Sequence, residues 1–287
     1  APTFWSGNYI PDEALTDDRY FFIRLKTNFY IKENKLPFVQ IKGNPMYKGN
    51  DMLTTSELYS EERGEYYNKF LNDSTGKVQS TAQVLTLTMT DYELLVDHYY
   101  LEDFEILDGC YFETAIGLFD DYINKYAEIK KTSKGAKREE AKLFLNNLYG
   151  KMATNTDSSF KIAYLNEDKE LRFYTINESN KKSGYIAIGS AITSYARAFT
   201  IKVAQQNYYG TENAGFIYAD TDSIHVDMPF EKIKGVNIHP TDFSCWSIDA
   251  VWSTGYFARQ KTYIERVVSV EDLPENQKHA VDYHYDN

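Results

Sequence analysis

Cysteine is nearly absent: 287 residues hold only Cys110 and Cys245, far apart and without the spacing of metal ligands. That argues against a disulfide framework or a zinc site and fits a reducing cytoplasm. No apolar run approaches the ~18 residues of a membrane span, so no membrane partner is expected. The opening APTFWSGNYIP also lacks the basic and apolar regions of a secretory leader. A basic surplus is missing as well. Lys and Arg number 31 against 42 Asp and Glu, a net charge of −11, which argues against nucleic-acid binding through bulk charge and leaves room only for a local basic groove. Internal repeats and low-complexity tracts are absent. What is present is a folding composition, 43% hydrophobic and 25% charged, with length for about two domains or one domain carrying insertions. The 25 Tyr and 17 Phe fit either base-stacking platforms or ordinary core-edge aromatics.

The N-terminal stretch alternates short strand signals, YFFIRLK and FVQIK, with turns at Lys32 to Lys35 and Gly43 to Pro45, a small mixed β region. Residues 57–83 are polar and Tyr-rich, broken by NDSTGK, and suit a loop-bearing excursion. VLTLTMT follows as a strand, then DYELLVDHY as a helix capped by Thr90 with Glu93 at the capping-box position. FEILDGCYFE reads as a further strand pair. The period then changes: Leu118, Phe119, Tyr122, Ile123, Tyr126 and Ile129 form an i, i+3, i+4 stripe. SKGAK interrupts it, and a second helix carries EEAKLFLNNLYGKMA. Lys130, Lys131, Lys134, Lys137, Arg138 and Lys142 make this connection basic, either as a solvated face or as part of a groove. SFKIAYLNEDKELRFYTI predicts a β-hairpin over Phe160 to Ile176, and Ile188, Ile192, Tyr195, Phe199 and Val203 mark an amphipathic helix.

Two stretches carry chemistry. In FIYADTDSIHVD, Phe216 to Asp227, Asp220 and Asp222 stand between two apolar runs that read as strands. On an extended backbone residues i and i+2 point the same way, so two carboxylates would share one small volume. A hard divalent cation relieves such crowding; an Asp-rich turn that caps its own backbone is the simpler reading. In AKLFLNNLYGK, Lys142, Asn146 and Tyr149 fall at i, i+4 and i+7 on one helix face. A cation, an amide and an aromatic hydroxyl there suit a triphosphate, a sugar or base edge, and a base plane. Gly150, just beyond, would admit a close approach. The same residues also fit a surface Lys, a capping Asn and a core Tyr ending at a Gly C-cap.

The order K-x-x-x-N-x-x-Y-G, then Y-x-D-T-D-S, then K-x-Y at Lys261 and Tyr263 in ARQKTYIER resembles the family B DNA polymerases. YKGN at Tyr47 to Asn50, IKKTSKGA, the hairpin before the Ile188 helix, and RQKTYI are similar to the protein-primed branch of small phages with linear genomes. The resemblance covers about Pro2 to Val267. It implies an α+β fold: an antiparallel palm sheet, two-helix fingers and two insertion subdomains. Residues 1–118 would form the first insertion, with the docking surface for a terminal protein. Residues 119–154 would form the fingers, 155–183 the second insertion with its β-hairpin, 184–267 the palm, and 268–287 the start of a thumb or a tail. Asp222 would be a direct ligand of Mg²⁺, or of Mn²⁺ in its place, with Asp220 supporting the metal and the catalytic site. Lys142, Asn146, Tyr149 and Gly150 would bind the incoming dNTP, and Lys261 and Tyr263 the primer end. The implied partners are a DNA template and primer, dNTPs and a terminal protein, in the cytoplasm of a bacterial host. Nucleotidyl transfer would use two metal ions. The upstream D-x-x-S-L-Y-P motif is not found, and Asn147 stands where Ser is common. The chain therefore reads as a fragment beginning just downstream of that motif. The other reading is an inactive polymerase remnant that docks a terminal protein or DNA.

Overall fold

The computed structural model describes residues 1–41, 83–154, 158–178 and 184–268 apart from 211, 240, 241, 243 and 260, with short strands between 53 and 80. YKGN, NDSTGK, Gly43 to Pro45 and the tail from 269 lie outside the described residues. The chain divides into two compact units, residues 1–116 with 194–287, and residues 117–193.

In the first unit the long strands come from strict alternation. β1 is Thr3–Ser6 and β2 is Arg19–Ile31. On β2, Phe21, Ile23, Leu25 and Phe29 are buried while Arg24 and Lys26 face solvent. A period of two therefore sends one side to the core. Short strands follow: β3 Gln40–Ile41, β4 Leu53–Thr54, β5 Tyr59–Ser60, β6 Glu65–Tyr66, β7 Lys69–Leu71 and β8 Val78–Ser80. β9 is Gln83–Thr88, helix α1 is Met89–His98 and β10 is Tyr99–Glu113. β1, β10, β2 and β9 form one antiparallel sheet in that order. α1 covers its inner face: its Leu95 joins Phe21, Ile23, Leu25 and Phe29 in the core, together with Tyr99 at the start of β10. Each such side chain fully buried contributes roughly 1.5–3 kcal/mol. Gly109 is required where Trp5 crosses it, since a Cβ there would meet the indole at 2.2 Å.

Two expectations change here. The helix cap is Thr88, whose hydroxyl accepts from the Asp91 amide at 3.2 Å, two residues before Thr90. Asp91 is turned inward to partners on another helix, so the helix starts early enough to bury it. FEILDGCYFE is part of one strand, β10, and not a strand pair. Its register shifts at Glu102/Glu105 and Ile106/Asp108 break the alternation that makes a strand legible.

In the second unit α2 spans Asp120–Thr132 and α3 spans Ala136–Met152. Leu118 and Phe119 precede α2, because the helix opens on Asp120 and Asp121, which suit its N-terminal dipole. The stripe meets α3 through Tyr126 stacked on Phe144, with ring centroids 4.7 Å apart, and the Tyr122 hydroxyl donates to the Phe144 carbonyl at 3.0 Å. β11 (Ser158–Leu165) and β12 (Leu171–Glu178) pair antiparallel from Ser158↔Glu178 to Leu165↔Leu171, the hairpin the alternation calls for. Asn166 closes its turn by accepting the Glu170 amide at 2.8 Å.

Helix α4, Ile186–Gln206, begins in the second unit and continues in the first. Its buried side differs from the expected stripe. Ser194, Ala198, Thr200, Val203 and Ala204 are buried, whereas Ile192, Tyr195 and Phe199 are exposed. The small side chains let the helix approach its neighbours, and specific bonds hold it there. Ser194 and Arg197 both donate to the Asp91 carboxylate, at 2.9 Å and at 2.6 to 2.7 Å. Gln205 accepts the Leu36 amide and donates to the Asn34 carbonyl. Just past the helix, Asn207 is fully buried and bonded to both the carbonyl and the amide of Lys234. β13 (Phe216–Asp220) and β14 (Ser223–Val226) form the next hairpin, and β15 (Trp252–Arg259) and β16 (Thr262–Val267) the last.

Candidate functional site

The tip of the β13–β14 hairpin carries the paired carboxylates. Asp220 ends β13 opposite Ser223, and Thr221 and Asp222 make the turn. Thr221 has φ 54, a left-handed conformation unfavourable for a β-branched residue. It is held by Thr200 of α4, which donates to its carbonyl at 3.0 Å. The backbone thus reverses between the carboxylates, and the extended-strand geometry that would point both to one side does not apply. Asp220 lies beside the neighbouring hairpin, while Asp222 is exposed at the tip.

That neighbour is β15–β16, with Lys261 in its turn. Lys261 Nζ donates to Asp220 Oδ2 at 2.7 Å, and its backbone N–H donates to Tyr218 Oη at 3.0 Å. Lys261 itself has φ 57, strain sustained by these two bonds. The ammonium holds the Asp220 carboxyl below its usual range against partial burial, with Thr221 helping; Asp220 in turn raises the Lys261 pKa. Tyr263, on β16, lies 5.7 Å from Tyr218, 4.7 Å from His225 and 5.4 Å from Phe257 between ring centroids. Glu265 accepts from His225 Nδ1–H at 2.7 Å. The D-T-D and K-x-Y motifs, forty residues apart in sequence, therefore form one cluster with Tyr218, His225, Phe257 and Glu265. Phe257 and Glu265 were missed by sequence reasoning, which had Tyr218 in the Y-x-D-T-D-S motif and His225 in the same stretch but gave neither a role. The alternation K-x-Y-x-E was the signal for Glu265.

Carboxylate oxygens are the donors a Mg²⁺ ion takes, usually one or two with water and phosphate completing the shell. Asp222 and Asp220 fit that modest requirement. Among the described residues no group of three or more His, Cys, Asp or Glu is placed to hold a metal.

Lys142, Asn146 and Tyr149 stand exposed on α3 in the second unit. Gly150 does not end that helix: α3 continues to Met152, and the space about Gly150 is open. The carbonyls that would need a glycine cap are instead met by Ala153, whose amide donates to Tyr149, and by Thr154, whose hydroxyl donates to Gly150.

Residues 1–232 match the family described as DNA polymerase type B, organellar and viral. Among individual relatives, the DNA polymerase of Bacillus phage Nf is 36% identical over 270 residues, covering 93% of this chain and 42% of its own length. That of Bacillus phage phi29 is 34% identical over 273 residues, and that of Streptococcus phage Cp-1 is 31% identical over 262. The chain thus spans 42% of the first of these relatives. A solved phi29 DNA polymerase, complexed with primer-template DNA and incoming nucleotide substrates, superposes with a TM-score of 0.70 at 33% identity, over 93% of this chain and 42% of that one.

Proposed function

This chain belongs to the type B DNA polymerases of organelles and viruses, and from that we propose that it is the part of a protein-primed, DNA-directed DNA polymerase that binds dNTP and the primer end. The observation that carries the reading is the contact between the two motif hairpins, Lys261 on Asp220. A phosphate-binding cation and a metal-binding carboxylate beside one another are what a primer terminus and an incoming nucleotide require at the point of transfer. In the reaction, a 3′-hydroxyl attacks the α-phosphate in line and pyrophosphate leaves. Asp222, with Asp220 in support, would hold Mg²⁺, which when bound neutralises charge on the phosphates and on the attacking and leaving oxygens.

The remaining work falls to side chains of this chain. Lys261 orients the primer end and shares its charge between Asp220 and the backbone phosphate. Tyr263, wedged against Tyr218, His225 and Phe257, presents a fixed hydroxyl and ring beside it. Lys142 contacts the triphosphate; Asn146 and Tyr149 shape the nucleotide pocket, with Gly150 leaving the helix surface open. The first insertion, residues 1–118, docks the terminal protein, and the hairpin within 155–183 helps enclose DNA.

Equilibrium binding of a fluorescent primer-template is the direct test. Lys261→Ala should weaken it by about tenfold, the scale of a lost charge-assisted contact. The affinity should fall steeply with salt as phosphate contacts are screened. Binding of primer-template no better than heparin, unchanged by Lys261→Ala, would overturn the reading.

A further inference from the structure

The cluster contains one pair that neither the metal nor the substrate contacts explain. His225 and Glu265 face each other between the two hairpins at 2.7 Å, with side chains only 15% and 12% exposed. A carboxylate taken this far out of water needs a reason, because such pairs seldom raise stability above that of an apolar replacement. Its position supplies one. Tyr263 and Glu265 alternate on β16, and Lys261 stands in the turn just before that strand. Each reaches the same neighbour: Lys261 to Asp220 and Tyr218, Tyr263 to Tyr218 and His225, Glu265 to His225. On the facing hairpin, His225 is the cross-strand partner of Tyr218. The three residues are successive rungs of one ladder, and Glu265 is the rung farthest from solvent.

We propose that Glu265 is a positioning residue for the primer terminus: by holding His225 it fixes the face against which Tyr263 and Lys261 are set. This rests on the reading of Lys261 and Tyr263 as primer contacts. The physical reason is directional. The aromatic contacts among Tyr218, His225, Phe257 and Tyr263 are tolerant of sliding, with interplanar angles from 20° to 72°. The ion pair at the turn is formed by a flexible Lys. The His225–Glu265 bond is short and made by two short-reach, mostly buried groups, so it sets the register of one hairpin on the other. It also fixes the proton of His225 on Nδ1. Without it the hairpins would still pack, but Tyr263 would lose the ring that backs it.

The test uses the full 287-residue chain and a primer-template with 2-aminopurine at the primer's 3′-terminal nucleotide, or instead six nucleotides upstream. Glu265→Ala should weaken binding of primer-template by about tenfold, as for loss of a hydrogen bond to a charged group. It should also change the fluorescence of the terminal probe while leaving the upstream probe as in the parent chain. Glu265→Gln keeps an acceptor oxygen and should recover affinity to within about twofold. His225→Ala should match Glu265→Ala, with the double variant no worse than either, as coupling requires. A merely structural role would move the melting temperature and leave the terminal probe unchanged once folded protein is compared. If Glu265→Ala does not fold, Glu265→Met, which keeps the length but accepts no hydrogen bond, carries the measurement. If Lys261→Ala weakens binding while Glu265→Ala or Glu265→Met leaves affinity and terminal probe unchanged, the positioning role is overturned and the primer reading stands. If Lys261→Ala has no effect either, both fall.

Discussion

His98 shows how a single residue records its surroundings. It is 2% exposed, at the end of α1, and its Nδ1–H donates to the Leu36 carbonyl at 2.7 Å. Burial pushes its pKa below the ordinary histidine value. The Leu36 carbonyl and Asp97 oppose that shift; Lys35 and Lys32 add to it. Asp97 lies 3.5 Å from Nε2 but is committed to Lys35 at 2.8 Å, so burial prevails over the ion pair. The folded state therefore holds a neutral ring, while the unfolded chain takes up a proton near pH ~6.5. The stability owed to His98 is full above that pH and is lost as pH falls through the lower, folded value. His98→Gln keeps a donor for Leu36 and removes the titration. In urea unfolding at pH 7.5 and 5.5, the parent should lose more stability on acidification than the variant. Equal losses would mean that the ring does not carry this dependence. Asp91 is a contrasting case in the same helix: its carboxylate, 12% exposed, is met by both Ser194 and Arg197, which joins α1 to α4.

At the scale of elements, α4 shows where pattern reading succeeds and fails. Its existence follows from apolar spacing, yet the apolar residues Ile192, Tyr195 and Phe199 are exposed. Tyr195 lies beside Tyr20 and Phe199 stacks on Trp246. The buried face is built from small residues because close approach to α1 and to the carboxylate turn leaves no room for larger ones. Ala198→Leu should therefore destabilise by about 1–3 kcal/mol through overpacking. Ile192→Ser should stay within about 0.5 kcal/mol. Urea midpoints at constant slope measure both, and a larger loss from Ile192→Ser would invert the assignment of faces. The elements legible beforehand are those whose information is local: α2, α3 and the β11–β12 hairpin each carry their own period. β10 escaped because its bulges break the alternation, and the cap moved to Thr88 because a distant Arg197 draws Asp91 inward. In the site, the spacing of Asp220, Lys142 and Lys261 was visible along the chain. The docking of one hairpin on the other is a contact across forty residues, and no local pattern encodes it.

For the molecule as a whole, the question is what these 287 residues do when assayed by themselves. Two-metal transfer draws its rate from carboxylates acting together on both sides of the ions. Here Asp220 is drawn to Lys261, Asp222 is exposed at the turn, and among the described residues no third acidic group joins them in a metal-holding cluster. An ion held by so few ligands stays open to solvent and binds weakly. Removing one member of a catalytic unit typically removes most of the unit's rate, since its parts act non-additively. Binding does not depend on that unit in the same way. Under the proposed assignment Lys142, Asn146 and Tyr149, exposed on α3, would still be available to a nucleotide, and Lys261 and Tyr263 to a primer. The expected outcome is a chain that binds primer-template and dNTP yet does not elongate. Primer extension with Mg²⁺ and all four nucleotides decides it. Template-dependent elongation that Asp222→Ala abolishes would mean that another carboxylate of this chain completes the site.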